Sequence, residues 1–171
     1  EFIVPRSGEE LKDYLDSTAG ESTLAVYIVS DASAMALYGQ NMACVVDFES
    51  VLRQDEVKDI LEVKDILKEL FSGERKIIFH DAKKAMWALE RFGIKVGSGF
   101  GDSQLAAYLL NPSASEYPLP QLSIEYLDET IIEKDDEVFL TCAIYAQAIQ
   151  RLYPTLTEKL KDCLLYTSPK P

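Results

Sequence analysis

The chain has 171 residues, 47% of them hydrophobic and 27% charged, which is the size and make-up of one globular domain and excludes both gross disorder and two independent cores. Seventeen Lys and Arg against 29 Asp and Glu leave a net charge of −12, a field that repels phosphate backbones and excludes tight autonomous binding to DNA or RNA. The longest apolar runs, residues 24–29 and 43–46, fall far short of the roughly 20 residues a membrane-spanning helix needs.

The N-terminus, Glu1-Phe2-Ile3-Val4-Pro5-Arg6, carries neither an initiator Met nor a basic region followed by an apolar one. It reads as a cut piece rather than a secretory signal. Cys44, Cys142 and Cys163 are odd in number, far apart and without Cys-x-x-Cys or a neighbouring His. That pattern argues against a disulfide framework and a zinc site, and for reduced thiols in a cytoplasmic compartment; a monomer is expected.

In chain order, Ser7-Gly8-Glu9-Glu10 fits a capping box, and Leu11, Tyr14 and Leu15 follow at helical spacing, predicting a helix over 8–16. The period then changes. Residues 23–30, 34–38 and 42–48 are rich in Val, Ile, Tyr and small apolar residues and are separated by Asp31-Ala32-Ser33 and Gly39-Gln40-Asn41, predicting three strands in an antiparallel meander. A helix over 51–72, stopped by Ser72-Gly73, leads to a strand over 76–79. Asp81 caps a helix carrying Ala85, Met86, Leu89 and Phe92 that ends at Gly93, and 94–96 reads as another strand. Asp102 caps a helix through Leu110, and helices over 119–127 and 136–152 follow, with a last segment opening at Pro154. Strands in a meander, then strands alternating with helices, predict an α/β fold with a mixed sheet and helices on its faces.

The long helix holds a tandem hexapeptide, Glu56-Val57-Lys58-Asp59-Ile60-Leu61 followed by Glu62-Val63-Lys64-Asp65-Ile66-Leu67. Six residues rotate a helix by about 600°, equivalent to about 240°, so the two copies cannot turn the same side chains to one core. Val63, Ile66, Leu67, Leu70 and Phe71 form one apolar stripe, which leaves Val57 and Leu61 at its edge. The first copy is the surplus one, to be absorbed as an overlong helix or as a break near 55–59.

Few residues offer chemistry. His80, the only histidine, sits beside Asp81 and near Lys83 and Lys84, but a lone histidine at a strand end is ordinarily structural, and general acid–base work needs an orienting partner. Gly97-Ser98-Gly99-Phe100-Gly101 lacks the Gly-x-Gly-x-x-Gly order of a phosphate loop and reads as a linker. The acidic runs lack calcium-loop spacing. Trp87, with Met86 and Leu89, reads as core rather than as a base-stacking platform.

The stretch from Lys76-Ile77-Ile78-Phe79-His80-Asp81 through Ala85-Met86-Trp87-Ala88-Leu89-Glu90-Arg91-Phe92-Gly93, followed by Gly101-Asp102-Ser103-Gln104-Leu105-Ala106-Ala107-Tyr108-Leu109-Leu110-Asn111-Pro112, resembles the 3′-to-5′ exonuclease domain of family A bacterial DNA polymerases, the polymerase I type. The resemblance extends more loosely over residues 1–162 and implies a ribonuclease H-like fold. In active members Asp-x-Glu on the first strand, a second Asp in the helix after the fourth strand, and Tyr-x-x-x-Asp on a late helix hold two metal ions. Here Tyr27, Val29, Lys84 and Thr141 stand at the four acidic positions, and Glu137 stands at the late tyrosine. None of the four at the acidic positions can supply the carboxylate oxygens that a pair of divalent cations requires. Asp31, in the turn beyond the first strand, is the one displaced candidate.

The resemblance therefore implies a degenerate domain without a metal cofactor, partnered by the polymerase domain of its parent chain in DNA replication and repair. DNA contact is expected to be weak, through His80, Lys83 and Lys84. Two alternatives remain open on sequence: an active exonuclease using Mg2+ or Mn2+, and a free-standing interaction module. Residues 163–171 continue nothing in the family, and Cys163-Leu164-Leu165-Tyr166-Thr167-Ser168-Pro169 resembles a translated sequencing adapter, so a non-native or disordered tail is expected there.

Overall fold

The computed structural model describes residues 1–53 and 57–167. Its strands are β1 (Phe2–Ile3), β2 (Thr23–Ile28), β3 (Ala34–Gly39), β4 (Met42–Asp47), β5 (Lys76–Phe79) and β6 (Gly101–Asp102). They form one mixed sheet in the order β1-β4-β3-β2-β5-β6. The meander β2-β3-β4 is antiparallel, in the register Ala25 opposite Tyr38 and Leu37 opposite Cys44, whereas β5 adds to β2 and β6 to β5 in parallel.

Helices cover both faces, as the interleaved strand and helix order requires. On one side lie α1 (Gly8–Ser17), α3 (Val57–Ser72) and α4 (Ala82–Glu90); on the other, α5 (Ser103–Leu110), α6 (Leu119–Leu127) and α7 (Val138–Thr167). The short α2 (Phe48–Arg53) follows β4. The period of two in the strands sorts their side chains between two cores. Leu24, Val26, Met35, Leu37, Cys44, Val46, Ile77 and Phe79 pack beneath α1, α3 and α4. Ala25, Ala34, Ala36, Ala43, Val45 and Ile78 face α5, α6 and α7. The second face is lined largely by alanine, and α7 answers it with Ala143 and Ala146, so small residues meet small residues and the helix seats close to the sheet.

The local signals hold where they are local. Ser7 caps α1, its Oγ accepting from the Glu10 N–H at 3.2 Å while the Glu10 carboxylate accepts from the Arg6 N–H at 2.8 Å. The hexapeptide copies part as their phase requires: Leu61 is 53% exposed, whereas Leu67 is fully buried and Ile66 packs at the core's edge. Of the stretch 55–59 in which a break is expected, residues 57–59 are helical within α3, while residues 55–56 and the Val57 side chain lie outside the described residues.

Three expectations fail. Residues 94–96 pair with nothing in the sheet. After Gly93, at φ +73°, the Ile94 N–H bonds back to the Leu89 carbonyl and Ile94 plugs into the core, so the edge of β5 is taken instead by Gly101–Asp102. Glycine suits that position, because a Cβ on Gly101 would lie 2.6 Å from Cζ of Tyr153 and the ring would have to shift. Pro154 ends no helix, since α7 runs unbroken from Val138 through Thr167. An interior proline costs about 3 kcal/mol, but Leu152 and Leu156 on either side are fully buried, each favouring the continuous helix by about 1.5–3 kcal/mol. The helix also takes in residues 163–167, with Leu164 and Leu165 exposed. Finally, Trp87 is 74% exposed and not core. Ala82, Ala85 and Leu89 set the inward face of α4, and Trp87 lies about 200° round the helix from both Ala85 and Leu89.

Candidate functional site

The ends of β2 and β5, the outer flank of α4 and the segment 116–120 enclose a cleft of about 460 Å³, its walls including Tyr27, Val29, His80, Lys84, Trp87 and Tyr145. Local chemistry builds each wall. Asp81, in the left-handed region at φ 64°, caps α4 by accepting from the Lys84 N–H at 3.3 Å, which starts the helix at the cleft mouth. Asp102 fixes the same corner from outside. Its Oδ1 accepts from the N–H groups of Asp81 (3.0 Å) and Gln104 (2.9 Å), and its Oδ2 from that of Ala82 (2.9 Å). One carboxylate thus holds the first turns of both α4 and α5, where negative charge is favoured.

His80 ties the cleft floor to its far wall. Its Nε2 lies 2.7 Å from the Tyr117 carbonyl, an acceptor only, so Nε2–H donates; its Nδ1 lies 2.8 Å from Ser103 Oγ. In the neutral ring the Ser103 hydroxyl donates to Nδ1; in the charged ring Nδ1–H donates and the hydroxyl turns to the Phe79 carbonyl, 3.2 Å away. Burial holds the imidazole below its ordinary pKa, against the opposing pull of the Tyr117 carbonyl, Asp102 and Asp81. Both nitrogens are engaged within the protein, so the DNA contact expected of His80 has no free ring nitrogen to make it.

The structure brings three of the four family positions together. Tyr27, Val29 and Lys84 line the cleft, and Thr141 does not; its hydroxyl donates to the Lys134 carbonyl at 3.4 Å. Lys83 also stays out, facing a shallower depression on the other flank of α4 with Met86 and Phe100. Asp31 turns back on its own loop, accepting from the Ser33 N–H at 2.9 Å, and lines a separate groove with Asp47 and Glu137. Sequence reasoning missed Tyr145, one turn beyond Thr141, whose ring meets Tyr27 edge-on at 4.8 Å. It also missed Arg91 and the 116–120 wall.

This donor set does not fit a divalent metal ion. Burial first, then Cys142 and Glu133, pushes the Tyr27 phenol up to about 12, so it keeps its proton at neutral pH. Val29 has no donor atom, and the Lys84 ammonium repels cations. Among the described residues no group of three or more His, Cys, Asp or Glu is gathered as a metal site, and no helix is long and apolar enough to cross a membrane. The three cysteines are free thiols, Cys44 and Cys142 buried and Cys163 exposed.

The family model described as "DNA polymerase I, ribonuclease H-like domain" matches residues 21–159. A comparison with curated protein sequences gives no match. Among solved structures the chain is similar to the POL domain of Pol1 from M. smegmatis in complex with DNA primer-template and dNTP, at TM-score 0.75 and 23% identity over 95% of this chain and 28% of that one. It is similar to Trypanosoma brucei RNase D at TM-score 0.70 and 16% identity, covering 91% of this chain and 64% of the other. The Aedes aegypti Nibbler EXO domain gives TM-score 0.70 and 13% identity, covering 95% and 89%. At these identities the likeness is one of fold, and the chain spans little more than a quarter of the length of the mycobacterial polymerase chain.

Proposed function

Because the chain belongs to the DNA polymerase I, ribonuclease H-like domain family, we propose that it is a catalytically inactive, metal-free 3′-5′ exonuclease-like domain that supports the polymerase domain of a cytoplasmic DNA polymerase acting in replication and repair. One observation carries the reading: the cleft that the fold provides for chemistry presents Tyr27, Val29 and Lys84, residues that cannot gather the oxygen ligands needed to activate water and stabilise a leaving oxygen. A supporting role is favoured by the outer face of α5, where Leu105, Tyr108 and Leu109, at i, i+3 and i+4, are all exposed. Such an apolar stripe suits a packed interface with another domain.

The test is direct. The purified chain, incubated with 5′-labelled single-stranded DNA and Mg2+ or Mn2+, is expected to leave the strand intact on a denaturing gel. Lys84→Asp alone is expected to remain inactive, since a two-metal clamp needs several ligands acting together. Shortening from the 3′ end that copurifies with the protein and is abolished by EDTA would overturn the proposal.

A further inference from the structure

The flank of α4 turned away from the cleft opens onto a depression of about 800 Å³, lined by Lys83, Met86, Trp87 and Glu90 on the helix and by Phe100 beyond it. Helical phase explains the grouping. Ala82, Ala85 and Leu89 are committed to the core, and Met86, Glu90, Lys83 and Trp87 fall within about 100° of one another on the neighbouring face. The middle of this face is apolar and its ends are charged. Trp87, the chain's only tryptophan, is 74% exposed and Phe100 is 40% exposed, and two solvent-facing aromatics around one depression suit a contact with another macromolecule. Lys83 and Glu90 stand seven residues apart, roughly 10 Å along the axis. They do not pair with each other, and no other described residue forms an ion pair with either.

The order along the helix is its own complement. When a second α4 is laid antiparallel about a two-fold axis passing between Met86 and Trp87, Lys83 of each copy falls opposite Glu90 of the other, because the two residues are equidistant from that axis; Met86 falls opposite Trp87 in the same way. We infer that the chain associates with a second copy of itself through this face, in an isologous α4–α4 contact that seats each Trp87 in the other copy's depression and closes an ion pair at either end. Taking roughly 250 and 200 Å² for the full Trp and Phe surfaces, the aromatics of two copies supply roughly 500 Å². A contact one nine-residue helix long stays below the ~1,200 Å² of a standard interface, so the dimer is weak and concentration-dependent. The net charge of −12 on each copy opposes association over long range, but at physiological salt that repulsion is screened beyond about 8 Å, whereas the close Lys83–Glu90 pairs still act. This replaces the monomer expected from the sequence, and it depends neither on the absence of catalysis nor on the α5 stripe.

Sedimentation of the whole chain in about 0.15 M salt is expected to give the monomer mass near 1 µM and to approach twice that mass above about 200 µM, for a Kd on the order of 10⁻⁵ M. Over the same range the Trp87 emission is expected to move to the blue as the indole leaves water. Lys83→Glu or Glu90→Lys alone sets like charges against each other at both ends and is expected to weaken association about tenfold or more. The double variant Lys83→Glu/Glu90→Lys restores complementary pairs, and so does an equimolar mixture of the two single variants; both are expected to recover the dimer. A purely local effect of either substitution would give no such recovery. Trp87→Ala is expected to weaken association about tenfold or more. All three side chains are exposed, and a far-UV CD melt of each variant confirms that the fold is intact. The monomer mass at every concentration overturns the proposal. Association that is unchanged in Trp87→Ala and in both charge variants overturns it by placing the contact on another face, and failure of the double variant and of the mixture to recover what the single variants lose overturns the antiparallel pairing.

Discussion

The tandem hexapeptide provides an experiment with its own internal control. Leu61 and Leu67 occupy the same place in identical hexapeptides of one helix, yet Leu61 is 53% exposed and Leu67 is wholly buried between α3 and the sheet. Leu→Ala at the two positions therefore carries the same change in helix propensity and nearly the same change in the unfolded chain, and the difference between the variants isolates burial. A buried leucine truncated to alanine loses about 2–5 kcal/mol in transfer and cavity terms, whereas an exposed one away from special features changes stability by about 0.5 kcal/mol or less. For a chain of this length each kcal/mol moves the midpoint by about 2–4 °C. Leu67→Ala is thus expected to lower Tm by about 4–20 °C, and Leu61→Ala by about 2 °C or less. Differential scanning calorimetry measures both. Equal losses at the two sites would show that the first copy is also packed and that the assigned helical phase is wrong.

Lowering the pH is expected to weaken the fold through His80. Its folded-state pKa is depressed by burial, so between the folded and unfolded values the unfolded chain binds the extra proton. Stability contributed by the neutral ring is complete above the unfolded pKa near 6.5 and declines as pH falls below it. Tm measured from pH 7.5 to 5 should therefore fall more steeply for the wild type than for His80→Gln, and parallel curves would remove His80 from the account. Gly101→Ala should cost about 1–3 kcal/mol by overpacking, because its Cβ would meet the Tyr153 ring at 2.6 Å. Adding Tyr153→Leu should restore part of that loss in a double-mutant cycle, and additive effects would place the strain elsewhere.

What could be read from sequence was what is decided within a few residues. The period of two in β2, β3 and β4 and the caps at Ser7, Asp81 and Asp102 are local devices, and each stands where its residues put it. A two-residue strand such as Gly101–Asp102 has no period to detect; the vacant edge of β5 creates it. Pro154 was misleading because the burial of Leu152 and Leu156, a tertiary effect, outweighs a local penalty. The positions of Tyr27, Val29 and Lys84 were legible through the family pattern. Tyr145 and the 116–120 wall were not, because β2, α6 and α7 meet only in the folded chain. Trp87 was misassigned by counting it with Met86 and Leu89; its partners by helical phase are Lys84 and Arg91.

The carboxylate of Asp102 has a mechanical consequence. Since it grips backbone N–H groups at the starts of both α4 and α5, these helices cannot swing apart without breaking a shared, charge-assisted joint. The α4 wall of the cleft is therefore anchored at its first turn, while the opposite wall is held by a separate tie, the His80 bond to the Tyr117 carbonyl. The two walls have independent anchors, so loosening one leaves the other in place.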